Sequence, residues 1–366
     1  MNHLQAYSLN TTCKRGRTFN QPLAIATTIH LPNPHFLDAL AKGMVRAFAP
    51  GKCILFGEHA VVYGHPAVAV AIDSGVEVEL TESNSWTIEG LPFLSERHPH
   101  ISHILNDVFD YDGEPLKIAI KSDLFSAAGL GSSAALSNAM GAAVLQLTNP
   151  KAELDSIELA RIGHAAEAKA QSGRASPTDT ATSALGGCVV VSGEIIAGTK
   201  HVFDAAMETP EGRRKWSICK VDLPEDLDAW LVLGFTGVGS PTGDMVAGVA
   251  KLLKKDSSKH QDMDAIARIT NAGLTALGAG NLEAVGMAMN ACHERLQNIE
   301  VSSPELDALV EAVRPHALGA KLTGAGGGGC MVALTQHPQR VAEAIEVAGG
   351  TPLISRVGVD GVRILQ

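Results

Sequence analysis

The feature that most constrains the fold of this chain is a glycine turn that leads directly into a helix of small residues, SAAGLGSSAALSNAMGAAVLQL at 126–147. Small side chains along a helix favour close packing against a neighbour, and glycine permits backbone conformations that other residues avoid. The free N–H groups and the positive dipole end of such a helix start bind anions. Ser132 and Ser133 add hydroxyls suited to a phosphate contact and a cation ligand. The segment therefore predicts a phosphate site, with an ordinary serine-capped helix as the alternative.

Two common glycine-loop nucleotide sites fit the sequence poorly. A Walker A loop needs G-x-x-x-x-G-K-[ST], but the one Gly-Lys pair, at 51–52, is followed by Cys53 and has Arg46 at the position of the first glycine. The dinucleotide fingerprint also needs a strand directly before the first glycine and a repeating βαβ series, and neither is present. Its superficial matches are Gly129, Gly131 and Ala134, and Gly324, Gly326 and Gly329.

The composition is that of a packed globular protein with few large rings. Of 366 residues, 45% are hydrophobic and 19% charged, whereas only 4% are aromatic and 37 are glycine. The length favours two domains, and a formal charge of −10 argues against a nucleic-acid partner. The longest strictly apolar run, AVAVAI at 67–72, is too short to span a bilayer, so no membrane partner is expected.

Cysteine usage gives an expectation about the compartment. The six cysteines are dispersed and form no C-x-x-C pair, so their spacing indicates neither a zinc site nor a disulfide framework. They are typical of reduced, mostly buried thiols. We therefore expect a cytoplasmic protein.

The first 43 residues differ from the rest of the chain. They carry a charge of +3, against −13 for the remainder, and contain the single acid Asp38. No apolar segment adjoins the basic residues and no convincing cleavage site follows, which disfavours a targeting peptide. Residues 1–43 are predicted to be a poorly ordered extension, or the product of a start codon assigned too early, with Met44 as the working start.

From Met44 onward, hydrophobic periodicity predicts mixed α and β structure. Short strands alternate with glycine and proline up to residue 80, and a strand is predicted in PLKIAIKSD before the glycine turn. A second helix is predicted over 151–171, and SGRASPTDTATSALGG at 172–187 is predicted to be a loop. A polar, proline-containing stretch precedes a new strand at 227, which places the domain boundary near 222. Further helices are predicted at roughly 242–255, 261–278 and 281–297. The segments ELDALVEAVRPH at 305–316 and GAKLTGAGGGGCMVALT at 319–335 follow, with a final helix and strand after them.

Three segments, in order, resemble the signatures of the GHMP kinase superfamily: PGK at 50–52, GLGSSAA at 129–135 and GAKLTGAGGGGC at 319–330. Within it, FGEHAVVYGHPAVAVAI at 56–72, ASPTDTATS at 175–183 and VSSPELDALV at 301–310 resemble the mevalonate kinases, especially archaeal and bacterial forms. The resemblance implies an α+β, two-domain fold. Residues 44–222 would form an N-terminal domain related to a ribosomal-protein fold, and residues 223–366 a ferredoxin-like domain, with the active site in the cleft between them.

The resemblance also implies roles for individual residues. Lys52 would stabilise the incipient alkoxide and the transferring phosphoryl group, and Asp179 would accept or orient the proton of the acceptor hydroxyl. A surface lysine and a turn-capping aspartate are the alternatives. The ATP-binding loop would consist of Ala128, Gly129, Leu130, Gly131, Ser132, Ser133 and Ala134.

The implied metal is Mg²⁺, with Ser133 and Glu167 as its protein ligands. Glu167 precedes Asp179 by one residue more than the family spacing, and an extra loop residue such as Ser172 would absorb the difference. An exposed helical glutamate is the alternative. The implied substrate contacts are Glu58, His59 and Thr180. A structural glycine turn, with Gly324, Gly326 and Gly327, would close against the phosphate site.

The implied reaction is direct transfer of a phosphoryl group from ATP to the 5-hydroxyl of (R)-mevalonate, giving ADP and 5-phosphomevalonate in isoprenoid biosynthesis. Other GHMP kinases, acting on phosphomevalonate, on the 3-hydroxyl of mevalonate or on homoserine, are alternatives. A ligand sensor without turnover is a further one. The apolar N-terminal domain and the habit of the family imply a homodimer.

Overall fold

The structure, a computed structural model, describes residues 43–171, 175–209, 212–224 and 227–365. The predicted extension lies outside these residues except for its last member, Gly43, and Ser172 also lies outside them. Within the described residues, no helix is both long and apolar enough to cross a bilayer.

The larger of two sheets begins with two long antiparallel strands, Met44–Phe56 and Ala67–Glu82. In the second of these, burial alternates over 76–80, whereas 67–72 is buried throughout. Its strand order is β4-β3-β5-β2-β6-β8-β7, and β1 pairs with both β2 and β13. The strands are β1 (Met44–Phe56), β2 (Ala67–Glu82), β3 (Thr87–Ile88), β4 (Leu91–Pro92), β5 (Leu116–Ser122), β6 (Cys188–Ser192), β7 (Lys200–Thr209), β8 (Gly212–Val221) and β13 (Arg363–Leu365).

Helices of small residues pack against this sheet. The long helix after the glycine turn contacts β1, β2 and its neighbouring helices, and a Cβ at Gly141 would lie only 3.3 Å from Leu159 Cδ2. Small residues therefore permit the close packing that the sequence predicted. The helices are α1 (Pro99–Ser102), continued by a π-helical segment (His103–Val108), α2 (Ser132–Thr148), α3 (Ser156–Ala170) and α4 (Thr178–Leu185).

The smaller sheet is antiparallel. Its strands are β9 (Trp230–Phe235), β10 (Gly319–Thr323), β11 (Cys330–Thr335) and β12 (Thr351–Arg356). Their order across the sheet is β10-β11-β9-β12. The accompanying helices are α5 (Thr242–Lys255), α6 (His260–Gly278), α7 (Leu282–Asn298), α8 (Pro304–Val313) and α9 (Pro338–Val347). Short 3-10 turns occupy Ala60–Tyr63, Ser95–Arg97, Ser257–Lys259 and Arg314–His316.

The α+β class is confirmed, but two local predictions are corrected. The helix predicted over 151–171 spans only Ser156–Ala170, because the side chain of Asp155 caps its start. Residues 172–187, predicted to be a loop, contain helix α4. Threonine and serine have modest intrinsic helix propensity, so the pattern favoured a loop. Burial of Thr178, Thr180, Ala181, Thr182, Ser183 and Ala184 against the rest of the domain stabilises the helix instead.

The division at residue 222 stays a prediction. Residue 222 falls between β8 of the larger sheet, which ends at Val221, and β9 of the smaller sheet, which begins at Trp230. The final strand, β13, nevertheless returns to pair with β1, so a segment assigned to the second domain completes the first sheet.

Candidate active site

Lys52 lies on β1 at an irregularity in its pairing with β2, where the register shifts between Pro50 and Lys52. The backbone N–H of Lys52 donates to Leu130 O at 2.9 Å, and its Nζ donates to Gly129 O at 2.8 Å. The same Nζ lies 3.2 Å from Asp179 Oδ1. The lysine side chain is 4% exposed and the aspartate side chain 39%. A buried cation therefore underlies an accessible carboxylate, the two groups predicted to be catalytic.

Asp179 stands in the first turn of α4, and a neighbouring helix fixes that turn. Asn138 on α2 donates its side-chain amide to Thr180 O at 2.9 Å in a fully buried contact. Thr180 itself is completely buried, and its hydroxyl donates to Pro177 O at 3.2 Å. The substrate role of Thr180 stays a prediction. Its burial and its hydrogen bonds anchor the helix that carries Asp179.

The start of α2 presents free backbone N–H groups. Gly131 is its N-cap in the left-handed region at φ +74°, and no side chain in the described part of the chain caps the helix. Ser133 is exposed there and Ser132 half-buried, whereas the apolar loop members are buried, namely Ala128, Leu130 and Ala134. The missing cap leaves the dipole end and its N–H groups available to an anion.

Glu167 and Ser133, the predicted magnesium ligands, are neighbours. The Ser133 hydroxyl is close enough to the Glu167 carboxylate to favour its ionised form. Burial raises the pKa of Glu167, but the nearby His100, Ser133 and Gln171 side chains outweigh burial and leave that pKa below its usual range. Glu167 is thus ionised at neutral pH.

The donor set fits a magnesium ion. Gln171 donates to Glu167 Oε2 at 2.5 Å, whereas Oε1 is buried without a hydrogen-bond partner among the described residues. His100 Nε2 lies 3.1 Å from that oxygen in a geometry that makes no hydrogen bond. An ionised carboxylate with a spare oxygen beside an exposed hydroxyl offers the hard oxygen ligands that Mg²⁺ prefers. The ligand roles of Ser133 and Glu167 stay predictions.

Glu58 and His59, the predicted substrate contacts, are buried against the smaller sheet. Glu58 Oε1 forms an ion pair with Lys321 Nζ in which both side chains are essentially inaccessible. Burial raises the pKa of Glu58, and Lys321 opposes that rise. His59 donates from Nε2 to Ala325 O at 2.9 Å, and burial lowers its pKa. Their substrate roles stay predictions, while their observed contacts are with the segment 321–325.

The predicted glycine turn faces the phosphate loop. A Cβ on Gly324 would lie 3.6 Å from Gly129 Cα, so the two backbones are close neighbours. Gly326 and Gly327 have φ values of +80° and +68°, and a Cβ on Gly327 would lie 2.6 Å from Met245 Sδ. The structural role of the turn is a prediction that this geometry supports.

Three polar residues at the site escaped the sequence analysis: Asn138 and Lys321, which are buried, and His100, whose side chain is partly exposed. His100 stands near Glu167, Asn138 supports α4, and Lys321 pairs with Glu58. In the sequence, the one sign of their importance was that Lys321 and Asn138 stand inside otherwise apolar or small-residue segments. Such residues have to find partners when buried, but the sequence does not say which.

Comparisons with known proteins identify the relatives of this chain. Models of the GHMP kinases match it over residues 100–187 for the N terminal domain and 274–350 for the C terminal part. Mevalonate kinase of Pyrococcus furiosus is 34% identical over 355 residues, which cover 87% of this chain and 98% of that protein.

Solved structures of mevalonate kinases are also similar to this chain. The crystal structure of Methanococcus jannaschii mevalonate kinase aligns with a TM-score of 0.69 at 26% identity and covers 86% of this chain and 98% of that one. A mevalonate kinase of L. major in complex with R-mevalonate aligns with a TM-score of 0.68 at 24% identity, over 86% of this chain and 95% of that one, and so shares the fold.

Proposed function

The chain belongs to the mevalonate kinases of the GHMP kinase family, and we propose that it transfers the γ-phosphoryl group of ATP to the 5-hydroxyl of (R)-mevalonate. The observation that carries this proposal is the convergence of Lys52, Asp179 and the uncapped start of α2. The lysine Nζ lies 3.2 Å from the aspartate and 2.8 Å from a carbonyl of the phosphate loop. One cation thus contacts both the proposed base and the loop that would hold the polyphosphate.

Asp179 is proposed to accept or orient the proton of the acceptor hydroxyl. As the acceptor oxygen forms its bond to the γ-phosphorus, the bond from that phosphorus to the β,γ-bridging oxygen breaks, and the hydroxyl proton passes to the carboxylate. The ammonium of Lys52 would stabilise negative charge on the transferring group. No covalent phosphoenzyme is required.

The backbone N–H groups at the start of α2 are proposed to bind the phosphates of ATP. Ser133 and Glu167 would hold Mg²⁺, which, when bound, neutralises charge on the phosphate oxygens. The close approach of Gly129 and Gly324 would restrict the phosphate chain and limit the entry of water. These backbone groups position the nucleotide, while Asp179 and Lys52 act at the acceptor.

Incubation of the purified protein with ATP, Mg²⁺ and a panel of acceptor alcohols tests this proposal. The panel comprises mevalonate, phosphomevalonate and homoserine, and ADP release is measured. We expect release with mevalonate. Release only with homoserine or phosphomevalonate would contradict the proposed substrate, and release with none of them would contradict kinase activity on this class of alcohol.

A further inference from the structure

The buried ion pair between Glu58 and Lys321 joins the two sheets beside the proposed catalytic groups. Glu58 follows β1 of the larger sheet, and Lys321 lies on β10 of the smaller one. Lys321 is fully buried, and its Nζ also donates to Leu322 O at 2.6 Å. Glu58 Oε2 has no hydrogen-bond partner among the described residues, so Lys321 is the cation in direct contact with this carboxylate. Removal of one member would leave the other charge buried and unpaired.

The backbone next to Glu58 is held in an unusual conformation. His59 has φ +60°, in a region that residues other than glycine rarely adopt. Such a conformation persists only where the surrounding contacts hold it. Here the side chain of Glu58 is tied to Lys321, and the side chain of His59 is tied to Ala325 O. Both tethers come from the same segment of the smaller sheet.

Other contacts across the two sheets lead toward the phosphate loop. The hydroxyl of Thr323 accepts from Ile54 N at 3.1 Å and donates to Ile54 O at 3.0 Å. The next residue, Gly324, faces Gly129, whose carbonyl accepts from Lys52. The segment 321–325 is therefore hydrogen-bonded to β1 beside Lys52 and lies against the phosphate loop.

We propose that Lys321 is a positioning residue for phosphoryl transfer: by pairing with Glu58 it fixes the turn at 57–59 and, through His59, the glycine turn against the phosphate loop. In this assignment Glu58 acts through its ion pair and is not itself a ligand of the acceptor. The kinetic consequence rests on the proposed function, whereas the structural consequence, a fixed turn at 57–59, does not.

Three variants test the proposal: Lys321→Met, Glu58→Met and the double variant that carries both changes. Each single variant leaves a buried charge unpaired and is expected to melt at a lower temperature. The double variant removes both charges and is expected to recover most of the loss. All three are expected to show kcat/KM for mevalonate reduced roughly a hundredfold, because a displacement of about 1 Å near reacting groups has that effect.

The control variant is Arg46→Met, which breaks an ion pair of 2.6 Å with Glu77 farther along the same strand, β1. Its kcat/KM is expected to remain at the wild-type value. A double variant that recovers both its melting temperature and its kinetics would show that the pair is merely structural and would overturn the proposal. A Lys321→Met variant with normal kinetics beside an impaired Glu58→Met variant would assign Glu58 directly to the substrate and would also overturn it.

Amide hydrogen exchange gives a readout that does not depend on activity. Peptides covering 57–66 and 321–329 are expected to exchange faster in the double variant than in the wild type, while peptides from β7 and β8 stay unchanged. Wild-type exchange in both peptides would overturn the proposal even if no substrate is turned over. An inactive wild type with faster exchange in the variant would contradict the proposed function and leave the positioning role supported.

Discussion

Lys52 has two polar contacts that determine how its charge is used. Its ammonium donates to Gly129 O and lies beside Asp179, while its aliphatic stem lies beneath Gly131. A flexible lysine on an open surface could adopt many positions, but this one is 3% exposed. The buried position gives the proposed base a fixed cationic neighbour, which is the kind of preorganised charge that stabilises a transition state.

Substitution of the proposed base tests its role. Asp179→Asn is expected to lower kcat by about 10²–10⁴-fold, the usual contribution of a general base, while nucleotide affinity persists. Steady-state kinetics and nucleotide titration measure the two quantities. Glu158→Gln, which removes another first-turn acid, on α3, is the control and should leave kcat unchanged. A near-normal rate for Asp179→Asn would show that the carboxylate is neither base nor orienting group.

Glu167 is expected to determine the magnesium requirement. Glu167→Gln keeps the shape of the side chain but removes the ionised oxygen, so the Mg²⁺ concentration for half-maximal rate should rise about tenfold or more. Titration of the rate with Mg²⁺ at saturating ATP and mevalonate gives this concentration, and Glu158→Gln on the same helix is again the matched control. An unchanged Mg²⁺ dependence would remove Glu167 from the ligand set.

Among the elements, the glycine turn before α2 determines the shape of the proposed phosphate site. Its residues combine positive φ with close neighbours, since a Cβ on Gly131 would lie 3.0 Å from Lys52 Cγ. Replacement of this glycine therefore has two effects that can be separated. One is the conformational cost of a side chain in the left-handed region, and the other is displacement of Lys52, the proposed catalytic lysine.

Gly131→Ala and Gly198→Ala separate these effects. Gly198 has φ +80°, and a Cβ there would meet nothing within 4 Å among the described residues. Both variants are expected to lose about 1–2 kcal/mol in the free energy of unfolding. Only Gly131→Ala should also lose kcat/KM for ATP. Urea unfolding and steady-state kinetics measure these quantities, and equal kinetics for the two variants would contradict the proposed role of the turn.

The sequence predicted most elements because their periodicity is local. The helix predicted at 242–255 matches α5, and 261–278 and 281–297 agree with α6 and α7 within a residue at each end. Helix α4 was missed because tertiary burial, not propensity, stabilises its threonines. The pairing of Glu58 with Lys321 could not be predicted, since it joins residues 263 positions apart. Motifs proposed the groups of the candidate site, while their contact partners became visible only in the fold.

At the scale of the whole molecule, the proposed site combines parts from both sheets. Lys52, the phosphate loop and Asp179 belong to the larger sheet and its helices, and the glycine turn lies between β10 and β11 of the smaller one. The formal charge of −10 would repel anionic substrates at long range. Local groups, namely the helix start and Lys52, would therefore provide the attraction for ATP.

Buried histidines make the stability of the molecule dependent on pH. Burial lowers the pKa of His293 to about 4 from 6.5; the neighbouring Asp307 opposes this shift, and the charge of Lys321 adds to it. The unfolded chain thus binds a proton at a higher pH than the folded chain does. Stability from this residue is complete above pH 6.5 and is lost as the pH falls toward 4.

We expect the free energy of unfolding to fall between pH 6.5 and 4, by up to about 1.4 kcal/mol per pH unit for this proton. Urea unfolding across this window measures the slope. His293→Gln should reduce the slope, and His260→Gln, at an exposed position, should not. Identical slopes for the wild type and His293→Gln would contradict the contribution assigned to His293.

The central claim is the transfer of a phosphoryl group to the 5-hydroxyl of mevalonate. Proton-coupled ³¹P NMR of the product formed from ATP and (R)-mevalonate tests it most directly. A phosphate on C5 couples to the two protons of a CH₂ group, so the account predicts a phosphomonoester triplet. A singlet would place the phosphate on the tertiary C3 oxygen, and a spectrum with no new phosphomonoester would show no transfer; either result would contradict the account.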